Sequence, residues 1–172
     1  MTTTFHRADG GSQRGQALLE MALVTPLLLA LALGVIELGR YAYVSILVGS
    51  AARAGAAYGA QGVRDSVDST GIQQAADNDF QNNGQNVSDL TVSGGFSGGT
   101  YTSCGCDENG TVVTQSGCNA ASNPSAGTCP SGHWVVMVSV QAAGTFNSLF
   151  HYPGIPPSIT VDRTATMRVA QQ

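Results

Sequence analysis

The sequence predicts an α+β protein in which a long N-terminal helix packs on a small antiparallel sheet. Residues 21–36 form an uncharged apolar run, and the alanine-rich stretch that follows contains no proline before residue 60. Apolar and polar residues then alternate near the C-terminus, most regularly over residues 159–169. Such alternation is typical of an antiparallel strand with one covered face, and the second half of the long helix is the predicted cover.

Composition favours a membrane-associated chain over a soluble enzyme or a nucleic-acid-binding protein. The chain has 172 residues, of which only 10% are charged, whereas about 25% is typical of soluble domains. Seven arginines and no lysine stand against eleven acidic residues, for a net charge of −4, so no basic patch indicates nucleic acid. The sequence has no Walker loop, dinucleotide fingerprint or paired-histidine motif. We therefore predict no cofactor and no enzymatic activity.

Residues 16–60 are predicted to form one helix whose first half spans a membrane. The uncharged run of residues 21–36 is slightly shorter than the ~20 residues that cross a bilayer. It becomes long enough if Glu20 lies at one membrane face and Glu37 with Arg40 at the other. Glu37 and Arg40 are three residues apart on a helix, so they can form an ion pair. A secretory signal cut near residues 30–34 is less favoured, because it would leave this charged pair close to the new N-terminus.

Orientation in the membrane follows from the charges that precede the helix. Residues 1–15 are polar and contain Arg7 and Arg14 against the single acid Asp9. Because positively charged flanks stay on the cytoplasmic side, we expect a cytoplasmic N-terminus. Residues 61–172 are then outside the cytoplasm.

The exported residues are predicted to contain a second, short helix and several strands. Thr70 and Gln73 fit a capping box at the start of the helix, and Asn83-Gly84 fits its C-cap. Ile72, Ala76 and Phe80 have helical spacing and are expected to face the core. The predicted strands cover residues 90–93, 111–115, 134–141 and 159–169.

The last two predicted strands differ in how their faces are expected to be covered. Residues 134–141 are mostly apolar on both faces, which is typical of a central strand. In the last strand the residues predicted to face inward are Ile159, Val161, Ala165, Met167 and Val169. Arg163 falls on the same face, so we expect it near an edge or with a partner.

The four cysteines, Cys104, Cys106, Cys118 and Cys129, are predicted to form two disulfides that staple a loop poor in apolar side chains. Outside the cytoplasm disulfides are the natural state of such cysteines. Cys104 and Cys106 are too close to pair with each other. Two connectivities stay open: Cys104–Cys118 with Cys106–Cys129, or Cys104–Cys129 with Cys106–Cys118. The spacing matches no common zinc pattern, and no metal site is predicted.

The segment Asp107-Glu108-Asn109-Gly110 has two interpretations. A calcium loop is one, although the regular ligand spacing of such loops is missing. A tight Asn-Gly turn between two strands is the favoured one.

The N-terminal residues resemble a known family. Gly15 followed by Gln16-Ala17-Leu18-Leu19-Glu20 is similar to the prepilin peptidase site of type IV pilin-like proteins. The longer set, Arg14-Gly15 through Thr25-Pro26, then Glu37-Leu38-Gly39-Arg40 and Ala52-Arg53-Ala54-Gly55-Ala56, resembles the TadE-like pseudopilins of the tight-adherence (Tad/Flp) pilus. The ending Thr164-Ala165-Thr166-Met167-Arg168 is similar to the family's last strand, while Met21 stands where an aromatic residue often follows the glutamate.

The resemblance implies a pilin-like fold and a role in the structure or assembly of an adhesive pilus. Residues 1–15 would be a leader removed between Gly15 and Gln16, and Glu20 would pair with the freed α-amine of Gln16 in a neighbouring subunit, setting the register of assembly. The implied partners are a prepilin peptidase, other pilin or pseudopilin subunits and the Tad assembly platform in the bacterial inner membrane. The alternative is an uncleaved single-pass envelope protein whose exported domain binds a ligand.

Overall fold

A computed structural model describes residues 13–114, 129, 132–150, 154 and 156–170. The helices are α1 (Gln13–Gly59), α2 (Val63–Ser66) and α3 (Ser69–Asn82), followed by a single 3-10 turn at Val87–Asp89. The strands are β1 (Leu90–Gly94), β2 (Thr102–Glu108), β3 (Thr111–Thr114), β4 (His133–Asn147) and β5 (Ser158–Arg168). The predicted α+β class, with a long N-terminal helix and an antiparallel sheet, is confirmed.

Helix α1 continues through Pro26 and contributes to two units of the chain. Proline has no N–H to donate to the preceding turn, and the neighbouring Thr25 hydroxyl donates a hydrogen bond of 2.6 Å to the Met21 carbonyl. The boundary between the two units falls between Arg40 and Tyr41. Residues 41–59 of α1 therefore belong to the same unit as the sheet.

Strand β4 organises the sheet. One of its edges pairs first with β2 (Asp107↔His133 to Thr102↔Val138) and then with β1 (Gly94↔Val140 to Leu90↔Gly144). Its other edge pairs along most of its length with β5, from Met137↔Arg168 to Asn147↔Ser158. Strand β3 adds to β2, and every pairing is antiparallel. This central position agrees with the prediction made from the two apolar faces of β4.

The second half of α1 packs against one face of β4. Apart from Leu47, its buried residues are small or β-branched, and Val48, Ala51 and Ala56 are fully buried. A Cβ placed at Gly55 would lie 3.3 Å from Val140 Cγ1, and one at Gly59 would lie 3.0 Å from Val138 Cγ1. The small side chains thus let the helix backbone approach the sheet closely, and α1 runs antiparallel to β4.

Helix α3 completes the core on the same side. Ile72, Ala76 and Phe80 are buried as predicted, and they join the residues of α1 and β4 in the core. The N-cap differs from the prediction: it is Asp68, whose side chain accepts a hydrogen bond from the Gly71 N–H. Asp68 lies one and two residues before Ser69 and Thr70, the two caps that the sequence predicts, and an aspartate accepts this bond at least as well as serine or threonine.

Two further sequence predictions are wrong in detail. The sequence predicts a loop stapled by the cysteines and no strand at Cys104-Gly105-Cys106, whereas these residues form the middle of β2. Ile159 is predicted to face the core, but it is exposed because it lies close to the end of the β4–β5 pairing, opposite Phe146. Arg163 does lie on the helix side of β5, where its guanidinium donates a hydrogen bond to the Ser45 hydroxyl of α1.

Candidate functional site

The first half of α1 exposes apolar side chains around its circumference. Leu18 is 72% exposed and Leu28 is 59% exposed, and similar fractions hold for their neighbours. The large apolar residues that share this exposure are Leu18, Leu19, Met21, Leu23, Val24, Leu27, Leu28, Leu29, Leu31, Val35, Ile36 and Leu38. A helix that is apolar on all sides needs lipid or other apolar helices around it. The helix Gly15–Gly59 is long and apolar enough to cross a membrane.

Gly15 and Glu20 lie on the first turns of this helix and are exposed. A Cβ added at Gly15 would have no heavy atom of the described residues within 4 Å beyond the adjacent helix backbone, so packing among these residues does not require a glycine there. Glu20 stands directly beside Leu19 and Met21, which are 65% and 66% exposed. The structure thus puts a carboxylate at the beginning of a surface that is otherwise apolar.

Glu37 and Arg40 lie near the other end of the apolar segment. Arg40 Nη1 is 3.0 Å from Glu37 Oε2, as the three-residue spacing on a helix allows. Pairing reduces the cost of holding two charges close to a lipid phase. The sequence after the pair continues with Tyr41 and Tyr43, residue types that favour the membrane–water interface.

A disulfide joins β2 to the segment that precedes β4. Cys106 and Cys129 are bonded, with their Cα atoms 5.6 Å apart, and Cys104 is disulfide-bonded as well. The observed bond excludes the connectivity that joins Cys106 to Cys118. Cys118 lies outside the described residues, so its bond to Cys104 stays a prediction.

The side chains of Asp107, Arg168 and His133 form a polar cluster beside this disulfide. The Asp107 carboxylate is buried; it accepts a hydrogen bond from the Arg168 guanidinium and lies 3.8 Å from His133 Nε2. The Arg168 hydrogen bond, helped by the Gly110 N–H at 2.9 Å, holds the pKa of Asp107 below its usual value even though burial opposes ionisation. We call these three residues the far-end cluster, because they lie at the end of the sheet where β4 begins and β5 ends.

The Asn-Gly turn that the sequence favours for residues 107–110 is present between β2 and β3. Asn109 and Gly110 have φ values of 55° and 86°, and Glu108 pairs with Thr111. Two central residues with positive φ are the signature of a type I′ hairpin turn. The Asn-Gly turn is confirmed, and the Asp107 carboxylate is engaged by Arg168 and His133.

The structure therefore arranges the predicted residues in separate places. Gly15, Gln16 and Glu20 lie at the start of α1, Glu37 pairs with Arg40, and Cys106 pairs with Cys129. Most of the predicted leader (residues 1–12), Cys118 and Gln115 fall outside the described residues. Sequence reasoning missed the far-end cluster, since no periodicity connects Asp107 with Arg168 across 61 residues.

Together these features define a class: an α+β domain that continues from a long N-terminal helix able to cross a membrane. Comparison with protein families is consistent with this class. Residues 15–57 match the family model of TadE-like protein. The chain is thus TadE-like over this segment, which confirms the resemblance inferred from its residues and supports a protein associated with the Tad pilus.

The matched segment begins at Gly15 and includes Glu20, Glu37 and Arg40, but it ends before α2. The chain matches no curated protein and no solved structure significantly.

Proposed function

We propose that this protein is a minor pilin or pseudopilin of a Tad/Flp-type adhesive pilus, cut after Gly15 by a prepilin peptidase. The observation that carries the proposal is the TadE-like match beginning at Gly15, on a helix whose first half is apolar and exposed all round. In this proposal α1 anchors the subunit in the inner membrane and packs with helices of other subunits. The sheet domain then lies outside the cytoplasm, where the Cys106–Cys129 disulfide is stable.

The surroundings of Gly15 support the view that a partner protein, and not packing within the chain, requires a glycine at this position. Among the residues that the structure describes, no atom beyond the adjacent helix backbone lies within 4 Å of a Cβ built at this residue, and its neighbours are good helix formers. Glycine has a much lower helix propensity than alanine. A tight peptidase pocket on the residue before the scissile bond accounts for a glycine here.

Glu20 supports an assembly role in a similar way. An ionised carboxylate in a lipid environment costs several kcal/mol unless it is paired. Cleavage after Gly15 would create a positive α-amine at Gln16, and the Glu20 carboxylate of a neighbouring subunit is a suitable partner for it. Such a pair fixes the axial register of packed helices, which is a use of charge for specificity.

Co-expression with a prepilin peptidase tests the cleavage. The intact mass of the purified protein should fall by that of residues 1–15, and Gly15→Asp should abolish this loss because the larger side chain blocks the pocket. Gly11→Asp, the same substitution four residues earlier, is the matched control and should be cut normally. An unshortened wild-type chain beside a peptidase that cuts another pilin would contradict the proposal and favour the uncleaved envelope-anchored protein.

The register role of Glu20 has a separate test. Glu20→Ala should be cut by the peptidase yet fail to support pilus assembly, because the α-amine of Gln16 loses its partner. Leu19→Ala removes an adjacent exposed side chain without changing charge, and it should retain assembly. Pili counted by electron microscopy in a strain lacking the native subunit provide the measurement. Normal piliation by Glu20→Ala would refute the register role.

A further inference from the structure

Two arginine side chains meet on the surface of the sheet unit, where α1 passes β5. A Cβ built at Gly49 would lie 3.7 Å from Arg53 Nη2 and 3.7 Å from Arg163 Cγ. Because both atoms are this close to one point, they are at most twice this distance from each other. Arg53 and Arg163 are exposed, and both side chains extend over the helix backbone at Gly49.

Two hydrogen bonds hold the guanidinium of Arg163 in place. It donates to the Ser45 hydroxyl, and its Nη1 donates a bond of 2.9 Å to the main-chain carbonyl of Asp162. Ser45 precedes Gly49 by four residues, so the two guanidinium groups are separated along α1 by about one helical turn, or ~6 Å. The Ser45 oxygen accepts the bond from Arg163, which leaves its hydroxyl hydrogen to be donated to a ligand.

The charges of these two arginines are not neutralised by a neighbouring acid. Residues 41–172 contain twice as many acidic residues as arginines, and Arg168 has Asp107 as its partner. Among the described residues, however, no carboxylate lies within 4 Å of the guanidinium of Arg53 or Arg163. Successive side chains of a strand point to opposite faces, so the Asp162 carboxylate lies on the other face of β5. Two like charges this close repel each other, and an anion bound between them removes the repulsion.

We infer that Arg53, Arg163 and Ser45 bind a phosphate group. All three side chains offer N–H or O–H donors, and guanidinium groups form their strongest hydrogen bonds with phosphate and carboxylate oxygens. Phosphate fits better than carboxylate here, because its tetrahedral oxygens accept from groups that approach from different sides. Hydrogen bonds of about 2.8 Å to two oxygens of one phosphate bridge guanidinium groups that are about one turn apart.

The phosphate has two possible sources, which the experiment distinguishes. Inorganic phosphate and the phosphodiester of a lipid headgroup present the same oxygens to the site. The inference does not depend on cleavage after Gly15 or on the assembly role of Glu20, so it stands or falls separately from the proposed function.

Titration with inorganic phosphate tests the first source. The full chain is purified in a nonionic detergent with isotope-labelled arginine, and phosphate replaces chloride at constant ionic strength so that screening does not change. The NMR signals of the Arg53 and Arg163 side-chain N–H groups should shift together and saturate at one phosphate per chain. The signal of Arg64, an exposed arginine of α2, should not shift.

Substitutions at the arginines give the size of the effect. Arg53→Gln and Arg163→Gln should each weaken phosphate binding by at least about tenfold, because each removes charge-assisted hydrogen bonds. Arg64→Gln is the matched control and should bind phosphate as the wild type does. Arg53→Glu should abolish binding and raise the melting temperature in phosphate-free buffer, because the new carboxylate then neutralises Arg163.

Reconstitution in lipid tests the second source. The labelled protein is placed in phosphate-free buffer in vesicles of a galactolipid, which has no phosphate, with either phosphatidylglycerol or the same fraction of oleate added. A lipid phosphate in the site shifts the signals of Arg53 and Arg163 with phosphatidylglycerol and not with oleate, and Arg53→Gln should remove the shift.

A selective shift of Arg53 and Arg163 in either experiment supports the inference and identifies the source. The inference is overturned if neither phosphate nor phosphatidylglycerol shifts these signals, or if Arg64 shifts equally, which would show non-specific attraction. An equal shift with oleate would also overturn it, because the site would then bind carboxylates as well as phosphate.

Discussion

The Asp107 carboxylate contacts three separate parts of the sheet, and its protonation state makes their stability depend on pH. Its neighbours are Arg168 at the end of β5, His133 at the start of β4 and the Gly110 N–H of the β2–β3 turn. The Arg168 hydrogen bond lowers the pKa of Asp107 below its ordinary 3.8. The unfolded chain therefore binds this proton more tightly than the folded protein, and protonation favours unfolding.

The sign of this effect leads to a pH prediction. The stability that Asp107 contributes is complete above its ordinary pKa of 3.8, and it is lost as the pH falls through the lower folded value. The melting temperature of the wild type, followed by Trp134 fluorescence in vesicles, should fall more steeply below this pH than that of Asp107→Asn. Asp162→Asn, an exposed carboxylate on β5, should retain the wild-type slope. Parallel curves for wild type and Asp107→Asn would contradict the prediction.

Gly144 is required for the close approach of α1 to β4. A Cβ added there would overlap Val48 Cγ2, and Val48 is fully buried in the core. Gly144→Ala should lower the free energy of unfolding of the sheet unit by about 1–3 kcal/mol, the usual cost of overpacking. Denaturant titration followed by near-ultraviolet circular dichroism measures this loss. Gly39→Ala is the matched control, because an added Cβ there meets no atom of the described residues within 4 Å, and it should leave the transition unchanged. If the two variants are equally stable, Val48 moves to accommodate the added methyl group and the prediction is wrong.

Single residues also mark the limit of what the sequence predicts. Alternation over residues 159–169 correctly predicts that Val161 and Val169 are buried and that Arg163 lies on the helix side. It cannot predict that Ile159 is exposed, since that depends on where the covering helix and the neighbouring strand end. The contact of Asp107 with Arg168 depends on the register of β2, β4 and β5, which no local pattern determines.

Among the secondary-structure elements, α1 combines two surfaces in one helix. Up to Leu38 it presents large apolar side chains outward, whereas from Leu47 to Ala56 it buries small and aliphatic residues against the sheet. Composition predicts this change, because large apolar residues suit lipid and small ones permit close packing. Strand β2 was missed for a related reason: its cysteines and glycine have weak strand propensity, and its pairing with β4 supplies the stabilisation.

The disulfide between β2 and the segment before β4 should make a measurable contribution to the free energy of unfolding. Cys106 and Cys129 are 23 residues apart, and closing a loop of this size stabilises the folded state by about 3 kcal/mol in the chain-entropy model. The double variant Cys106→Ala/Cys129→Ala should therefore lose about that much stability, again by denaturant titration. It leaves no thiol from this pair to exchange with the other cysteines.

The matched control for the disulfide is Val113→Ala, which changes the residue paired with Cys106 on β3 and is half exposed. It should cost well under half of what the double variant costs. A double variant as stable as the wild type would mean that the strand pairings alone hold this end of the sheet.

For the molecule as a whole, the boundary between Arg40 and Tyr41 separates residues that need an apolar phase from residues that form their own core. The helix residues in that core, among them Val48, Ala51, Ala52 and Ala56, all follow the boundary. They contact residues of β4 and α3. The second half of α1 is thus structurally part of the sheet unit, in agreement with its predicted place as the cover of the sheet.

Truncation tests this division. A fragment of residues 41–172 should be soluble without detergent and should keep the thermal transition of the full chain, because the exposed apolar segment before residue 40 makes no contribution to its core. A fragment of residues 61–172, which begins just after α1, should aggregate or remain unfolded, since the sheet face formed by Val138, Val140 and Ala142 loses its cover. Burying one such valine is worth about 1.5–3 kcal/mol, so exposing these residues together costs an amount comparable with the lower end of the 5–15 kcal/mol stability of a typical domain. Size-exclusion chromatography and circular dichroism compare the fragments, and a folded, monomeric 61–172 fragment would refute the assignment of residues 41–59 to the domain core.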